Sequence, residues 1–209
     1  MTESDRRPIA ARNLQPVQKA ADWLVRRQAS PNGISVAGMV AAGLGGLCFA
    51  ATAWPDAPTR LLWLLGAFLV QARLMANLLD GMVAIGRGVA SPVGELYNEI
   101  PDRVSDTAVL VGVGIAAGQP TLGMAAALAA MATAYIRAVG RSLGLKSDFS
   151  GPMAKQQRMA VVTALGVACF LLPAAWIGWG PGVALWVITI GATATAVRRL
   201  LHIAQGLRA

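Results

Sequence analysis

The stretch NLLDGMVAIGRGVASPVGELYNEIPDRVSD, residues 77 to 106, holds five of the chain's ten acidic residues: Asp80, Glu95, Glu99, Asp102 and Asp106. Asn77 and Asp80 are three apart and share a helix face. Gly86, Gly88 and Pro92 then predict a break, with a second helix starting near Val93. On that second helix Gly94, Asn98, Asp102 and Asp106 recur every four residues and fall in one row. If the two helices are antiparallel neighbours, Asn77 and Asp80 face Asp102 and Asp106. Carboxylates gathered in a low-dielectric setting repel one another and need a cation or raised pKa values. Hard divalent ions such as Mg²⁺ or Mn²⁺ take such all-oxygen sites, often with substrate phosphates completing the shell. Gly81 and Gly94 would let a phosphate or a flat ring approach the backbone. The competing arrangement has the acids paired with Arg73, Arg87 and Arg103, or simply resting in interfacial water.

The elements that must position this row are apolar. The chain has 209 residues, 56% of them hydrophobic and 13% charged, with a mean hydropathy of +0.55. A soluble domain carries about 25% charged residues. The expected class is an all-α integral membrane protein. Six segments are long enough to span a bilayer: 34–54, 60–80, 102–118, 121–141, 157–178 and 182–203. WPDAP, GQP and GWGPG are expected as the connections on one side, with Trp54, Trp176 and Trp179 at the interface. Ahead of them, LQPVQKAADWLVRRQA, residues 14 to 29, sets Val17, Ala20, Ala21 and Leu24 at helical spacing against Gln18, Lys19, Arg26 and Arg27. That pattern predicts an N-terminal amphipathic helix at the membrane surface, ended by SPNG. A plain solvated helix is the alternative. Residues 1–33 thus read as a cytoplasmic tail and juxtamembrane helix, and residues 34–209 as a six-helix transmembrane domain.

The net charge of +8 is expected to serve topology and anionic membrane lipids, with no nucleic acid involved. Arg6, Arg7, Arg12, Lys19, Arg26 and Arg27 precede the first span; Arg87, Arg137, Arg141, Lys146, Lys155, Arg158, Arg198, Arg199 and Arg208 share its predicted side, and Arg60 alone lies opposite. Both termini are therefore expected in the cytoplasm. Cys48 and Cys169 read as small apolar fillers and His202 as an interfacial residue. The polar N-terminus has no apolar stretch of the kind a cleaved signal requires.

NLLDGMVA and NEIPDRVSD resemble the two halves of the signature of the CDP-alcohol phosphotransferases, DxxDGxxAR and GxxxDxxxD. The motif falls in the second and third spans, where that family has it, and the Pro31–Asn32 entry to the first span is similar too. The resemblance implies a six-span catalytic domain in a bacterial inner membrane, multi-pass and homodimeric, acting in phospholipid biosynthesis. It implies transfer of a phosphatidyl-type group from a CDP-linked lipid donor such as CDP-diacylglycerol to an alcohol acceptor, with release of CMP. Two divalent ions, Mg²⁺ or Mn²⁺, would be held by Asn77, Asp80, Asp102 and Asp106, with Asp106 also the general base on the acceptor hydroxyl. Gly81, Ala84, Arg87, Gly94, Asn98 and Asn32 would meet the nucleotide. Lys155, Arg158, Arg137 and Arg141 would form the acceptor pocket. Three positions depart from the motif: Asn77 stands for its first aspartate, Asn98 for a glycine, and Ile85 for an arginine. A cation-coupled transporter, or a catalytically weak CDP-lipid-binding relative, are the competing functions.

Overall fold

The computed structural model describes residues 10–89 and 91–208. The side chains of Glu95 and Asn98 lie outside what is described, so the expected role of Asn98 has no structural counterpart here. After a 3₁₀ turn at Ala10–Asn13 come seven α-helices: α1 Gln15–Arg26, α2 Pro31–Ala51, α3 Thr59–Gly86, α4 Pro92–Ala116, α5 Pro120–Ser142, α6 Lys155–Leu171 and α7 Ala174–Gly206. Among the described residues there is no strand. The class expected from the sequence, all-α, is what folds.

Two helix starts use the same device. Ser30 caps α2 by accepting from the Gly33 N–H at 3.2 Å, and Ser91 caps α4 by accepting from the Gly94 N–H at 3.1 Å. A proline follows each cap, at a position where its missing N–H costs nothing. The break before α4 is therefore where the glycine and proline pattern put it.

Helices α2, α3, α5 and α7 are each long and apolar enough to cross a membrane. Helix α4 is long enough, at 25 residues, but carries Glu95, Glu99, Asp102, Arg103 and Asp106; α6 is shorter, at 17 residues. Large apolar side chains such as Leu47, Phe68, Leu128 and Ile190 point outward and stay exposed. A continuous apolar exterior of this kind suits lipid rather than water.

Helix α2 packs against both α3 and α4, α5 against α4 and α7, and α6 against α3 and α7. Small residues set the α2–α4 distance. A Cβ on Gly46 would lie 2.4 Å from the Ala108 carbonyl oxygen, and one on Gly112 would lie 2.2 Å from the Gly46 carbonyl oxygen. Each contact is to backbone, which no rotamer change can relieve. This is the close approach that small residues permit between helices in lipid. Phe49 and Trp63 fill the adjoining core, with ring centroids 5.1 Å apart. Helix α1 lies against α3, burying Val17 and Ala21, two of the four residues of its expected apolar stripe.

One connection differs from expectation. The fifth segment was placed at 157–178 and GWGPG, residues 178 to 182, was expected as a loop. The chain instead breaks at Leu172–Pro173, where Leu172 is extended with ψ of 164°, and α7 runs unbroken through Gly178–Gly182 with Pro181 inside it. Gly180, Pro181 and Gly182 are buried, with the Trp176 indole over Gly180 and the Gln119 amide beside Gly182. Away from water a backbone must satisfy its own polar groups, so the helix persists through residues that would turn in solvent.

Gly112→Val should lower stability by about 3 kcal/mol or more through overpacking against a fixed carbonyl. Gly43→Ala, where a Cβ meets nothing within 4 Å, should change it by less than about 0.5 kcal/mol. Thermal melts of the detergent-solubilised chain check both.

Candidate active site

Helix α3 presents Arg73, Asn77 and Asp80 on one face, four and then three residues apart. Helix α4 presents Asp102 and Asp106, also one turn apart. The two faces meet. Arg73 Nη2 donates to Asp102 Oδ1 at 2.6 Å and to the Asp102 carbonyl at 3.4 Å, and lies 3.6 Å from Asp106 Oδ1. The Asn77 amide also donates to Asp102 Oδ1. Helix α6 closes the third side: Lys155 Nζ bonds Asp102 Oδ2, and Arg158 Nη2 donates to Asp106 Oδ2 at 2.8 Å. Arg103 approaches Asp102 Oδ2 at 3.6 Å while pairing with Glu99. Asp80 turns to α2 instead, where its Oδ2 accepts from the Ser35 hydroxyl at 2.6 Å.

The structure thus joins Asn77, Asp102 and Asp106 with Lys155 and Arg158, two groups expected in separate subsites. Asp80, Asp102, Asp106, Arg73 and Arg158 are all buried, Arg73 and Arg158 to 1% exposure. Buried charges of both signs in such contact cost several kcal/mol each to desolvate, and they persist only when paired and hydrogen-bonded. Arg158 meets that condition through both terminal nitrogens: Nη1 donates to the Met153 carbonyl at 3.0 Å and reaches Thr133 Oγ1 at 3.4 Å, while its buried Nε has no acceptor.

The remaining expected residues lie around this centre. Gly81 follows Asp80 with open space where a side chain would be, and Ala84 is one turn on. Gly94 and Asn32 each sit in the first turn of a helix, α4 and α2 respectively. Arg87 is tied to the α1–α2 connection, its Nη1 donating to the Ala29 carbonyl at 2.6 Å. Arg137 pairs with Glu99 and lies 5.2 Å from the Phe149 ring, and Arg141 occupies the last turn of α5.

Two residues that hold the site were not singled out as functional in the sequence. Arg73 was weighed only as a counter-charge, although an arginine inside an apolar run must find a partner there. Arg199 was read as topology; buried in α7, it donates from Nε to the Ser150 carbonyl at 3.0 Å and from Nη1 to the Thr133 carbonyl at 2.8 Å. With Thr195 Oγ1 accepting from the Met153 N–H at 2.9 Å, it fixes the segment that delivers Lys155. Gly151, at φ of +124°, passes so close that a Cβ would sit 2.3 Å from Thr195 Cγ2. In the same segment burial raises the Asp148 carboxyl, but hydrogen bonds from Ser150 and His202 and the charge of Arg199 outweigh it and hold the group below the usual carboxylate range.

Among the described residues no three acidic, histidine or cysteine side chains form a ready metal cage. The donor chemistry fits one hard ion. Asp106 Oδ1 is buried with no hydrogen-bond donor, and the Asn77 amide can present its oxygen by turning over. It does not fit two, because both oxygens of Asp102 are already engaged by Arg73, Asn77 and Lys155.

No protein-family model matches the chain. The phosphatidylinositol phosphate synthase of Mycolicibacterium smegmatis is 28% identical over 193 residues, covering 89% of this chain and 81% of that one. The archaetidylinositol phosphate synthase of Aeropyrum pernix is 29% identical over 142 residues, 67% of this chain and 70% of that one. The fold matches the phosphatidylinositol phosphate synthase of Mycobacterium tuberculosis with CDP-DAG bound, at a TM-score of 0.76, 22% identity, and coverage of 91% of this chain and 94% of that one. The same protein in complex with manganese and citrate aligns with a TM-score of 0.74. Sequence and fold agree with the DG…D…D pattern across α3 and α4: the chain is similar over most of its length to phosphatidylinositol phosphate synthases and shares the fold of one of them.

Proposed function

We propose that this chain transfers a phosphatidyl-type group from a CDP-linked lipid, such as CDP-diacylglycerol, to an alcohol acceptor and releases CMP, in phospholipid biosynthesis. The observation that carries this is the meeting of Asp102 and Asp106 on α4 with Asn77 and Arg73 on α3, closed by Lys155 and Arg158 of α6. It places proton-accepting carboxylates beside fixed cations, which is what phosphoryl chemistry on a hydroxyl acceptor needs. The M. tuberculosis relative with CDP-DAG bound supports the donor.

In the reaction the acceptor hydroxyl oxygen bonds to the phosphatidyl phosphorus, and the bond from that phosphorus to the bridging oxygen breaks. CMP departs with that oxygen and its charge. The hydroxyl proton passes to Asp106, whose Oδ1 has no other donor. Asn77, Asp80, Asp102 and Asp106 would hold a divalent Mg²⁺ or Mn²⁺, which would supply positive charge to the diphosphate. Open space beside Gly81 gives the nucleotide room against the backbone, with Ala84, Arg87, Gly94 and Asn32 as its proposed contacts. Lys155 and Arg158, with Arg137 and Arg141 beyond them, favour a phosphorylated alcohol as acceptor, as the names of the synthase relatives also do. Each base would exchange part of its carboxylate contact for the acceptor's phosphate.

We place the chain as a multi-pass protein of a bacterial inner membrane. Helices α2–α7 all cross, α4 with Asp102 and Asp106 paired inward, and α1 lies on the cytoplasmic surface with both termini on that side. The basic last turns of α1 and α5, with Arg198 and Arg199 in the C-terminal part of α7, support that orientation. Residues 1–33 are then the juxtamembrane part and 34–209 the catalytic domain. The homodimer is carried on the family resemblance.

Purified protein incubated with CDP-diacylglycerol, Mg²⁺ or Mn²⁺ and a panel of alcohols should release CMP with one of them. Asp80→Ala and Asp102→Ala should each reduce release to background. Ion flux without CMP release would overturn the reading in favour of a transporter, and CDP-lipid binding without turnover in favour of a binding relative. Arg158→Met should raise the acceptor KM on the order of ten- to a hundredfold, the loss expected for a charge-assisted contact, with a smaller change for the CDP-lipid.

A further inference from the structure

Arg73 has no counterpart in the motif that the chain resembles, yet it sits at the centre of the site. It is four residues before Asn77 and on the same face of α3. Its Nη2 bridges Asp102 and Asp106, while its Nε and Nη1 are buried with no protein acceptor. A buried guanidinium that spends one nitrogen on structure and leaves two N–H-bearing nitrogens unused is an incomplete contact. Asn77, its neighbour, stands where the motif has an aspartate.

The two departures cancel in charge. An aspartate with a divalent ion contributes −1 and +2, a sum of +1; an asparagine with an arginine contributes 0 and +1, the same sum. The buried groups agree with this count. Buried Asp80, Asp102 and Asp106 are matched by buried Arg73 and Arg158 together with the half-buried Lys155. A nucleotide diphosphate diester brings roughly two negative charges, which a single divalent ion balances.

Resting on the functional reading above, we propose that Arg73 takes the place of one of the two divalent ions of the motif, so that this chain holds a single ion. Arg73 sets a fixed positive charge between the α4 carboxylates, and its Nε–H and Nη1–H groups, which have no protein acceptor, are donors for an oxygen of the donor's diphosphate. Arginine suits this role because its planar fork meets phosphate oxygens bidentately and does not lose its proton.

The test counts ions rather than turnover. The detergent-solubilised full chain is titrated with Mn²⁺ in the presence of CDP-diacylglycerol and without any acceptor, with bound and free Mn²⁺ read by electron paramagnetic resonance. Wild type should bind one Mn²⁺ with an uncoupled six-line spectrum. The Arg73→Met, Asn77→Asp double variant should bind two, with the exchange-coupled spectrum of a metal pair. Arg73→Lys, which keeps the charge, should still bind one. Two ions in wild type, none in wild type, or one in a folded double variant would each overturn the proposal. If the double variant does not fold, the wild-type and Arg73→Lys counts decide alone. Failure of CMP release with one ion bound would sink the functional reading and leave the count standing.

Discussion

A guanidinium inside an apolar bundle must be neutralised where it stands. Arg73 meets that demand through Asp102 and Asp106, and the rest of the site follows from it. Two carboxylates on one turn of α4 repel each other, and one arginine cannot balance both. Lys155 and Arg158 supply the remaining charge from α6. Two consecutive helices and a third far along the chain are thereby fixed at one point, by groups none of which is stable there alone. The arrangement is poised as well as stable. On the proposed function, a phosphate-bearing ligand would offer the same cations new partners of the same sign as the carboxylates, so that binding would exchange contacts rather than expose charge.

Such contacts need helices that approach closely, and the glycines supply the distance. Gly46 and Gly112 bring α2 onto α4 through backbone contact, and Gly38 lets α2 meet the Ala76 methyl on α3. Helix α2 then delivers Ser35 to Asp80. On the far side Gly166 lies against Ala67 and the Trp63 carbonyl, drawing α6 to α3. With larger residues at these positions the side chains of the site would span gaps instead of sharing protons. The connection before α6 does comparable work by another route. Arg199 and Thr195 of α7 bind its backbone at Ser150 and Met153, so Lys155 enters the site from a segment with fixed shape.

The α-class, four of the six apolar spans, the break before α4, and the row of Asp102 and Asp106 facing Asn77 were legible in the chain. Each depends on local spacing, and helical spacing holds wherever a helix forms. The DG…D…D signature was legible for the same reason. What the sequence misplaced was the end of α6. Gly178–Gly182 has the composition of a turn, but composition cannot report that Gly180–Gly182 are buried, with Gln119 of another helix boundary beside Gly182, and burial away from water favours the helix.

The partners of the charges belonged to the tertiary structure alone. From spacing, Arg73, Arg87 and Arg103 were equal candidates for the acids; in the fold Arg73 is central, Arg103 peripheral, and Arg87 is spent on the Ala29 carbonyl. Lys155 and Arg158, more than 45 residues beyond Asp106 in the chain, gave no sign that they would touch the carboxylates. Periodicity fixes which residues share a face, because one helix turn repeats along any helix. Which faces meet depends on the packing of small residues between distant segments, and no local pattern encodes that distance.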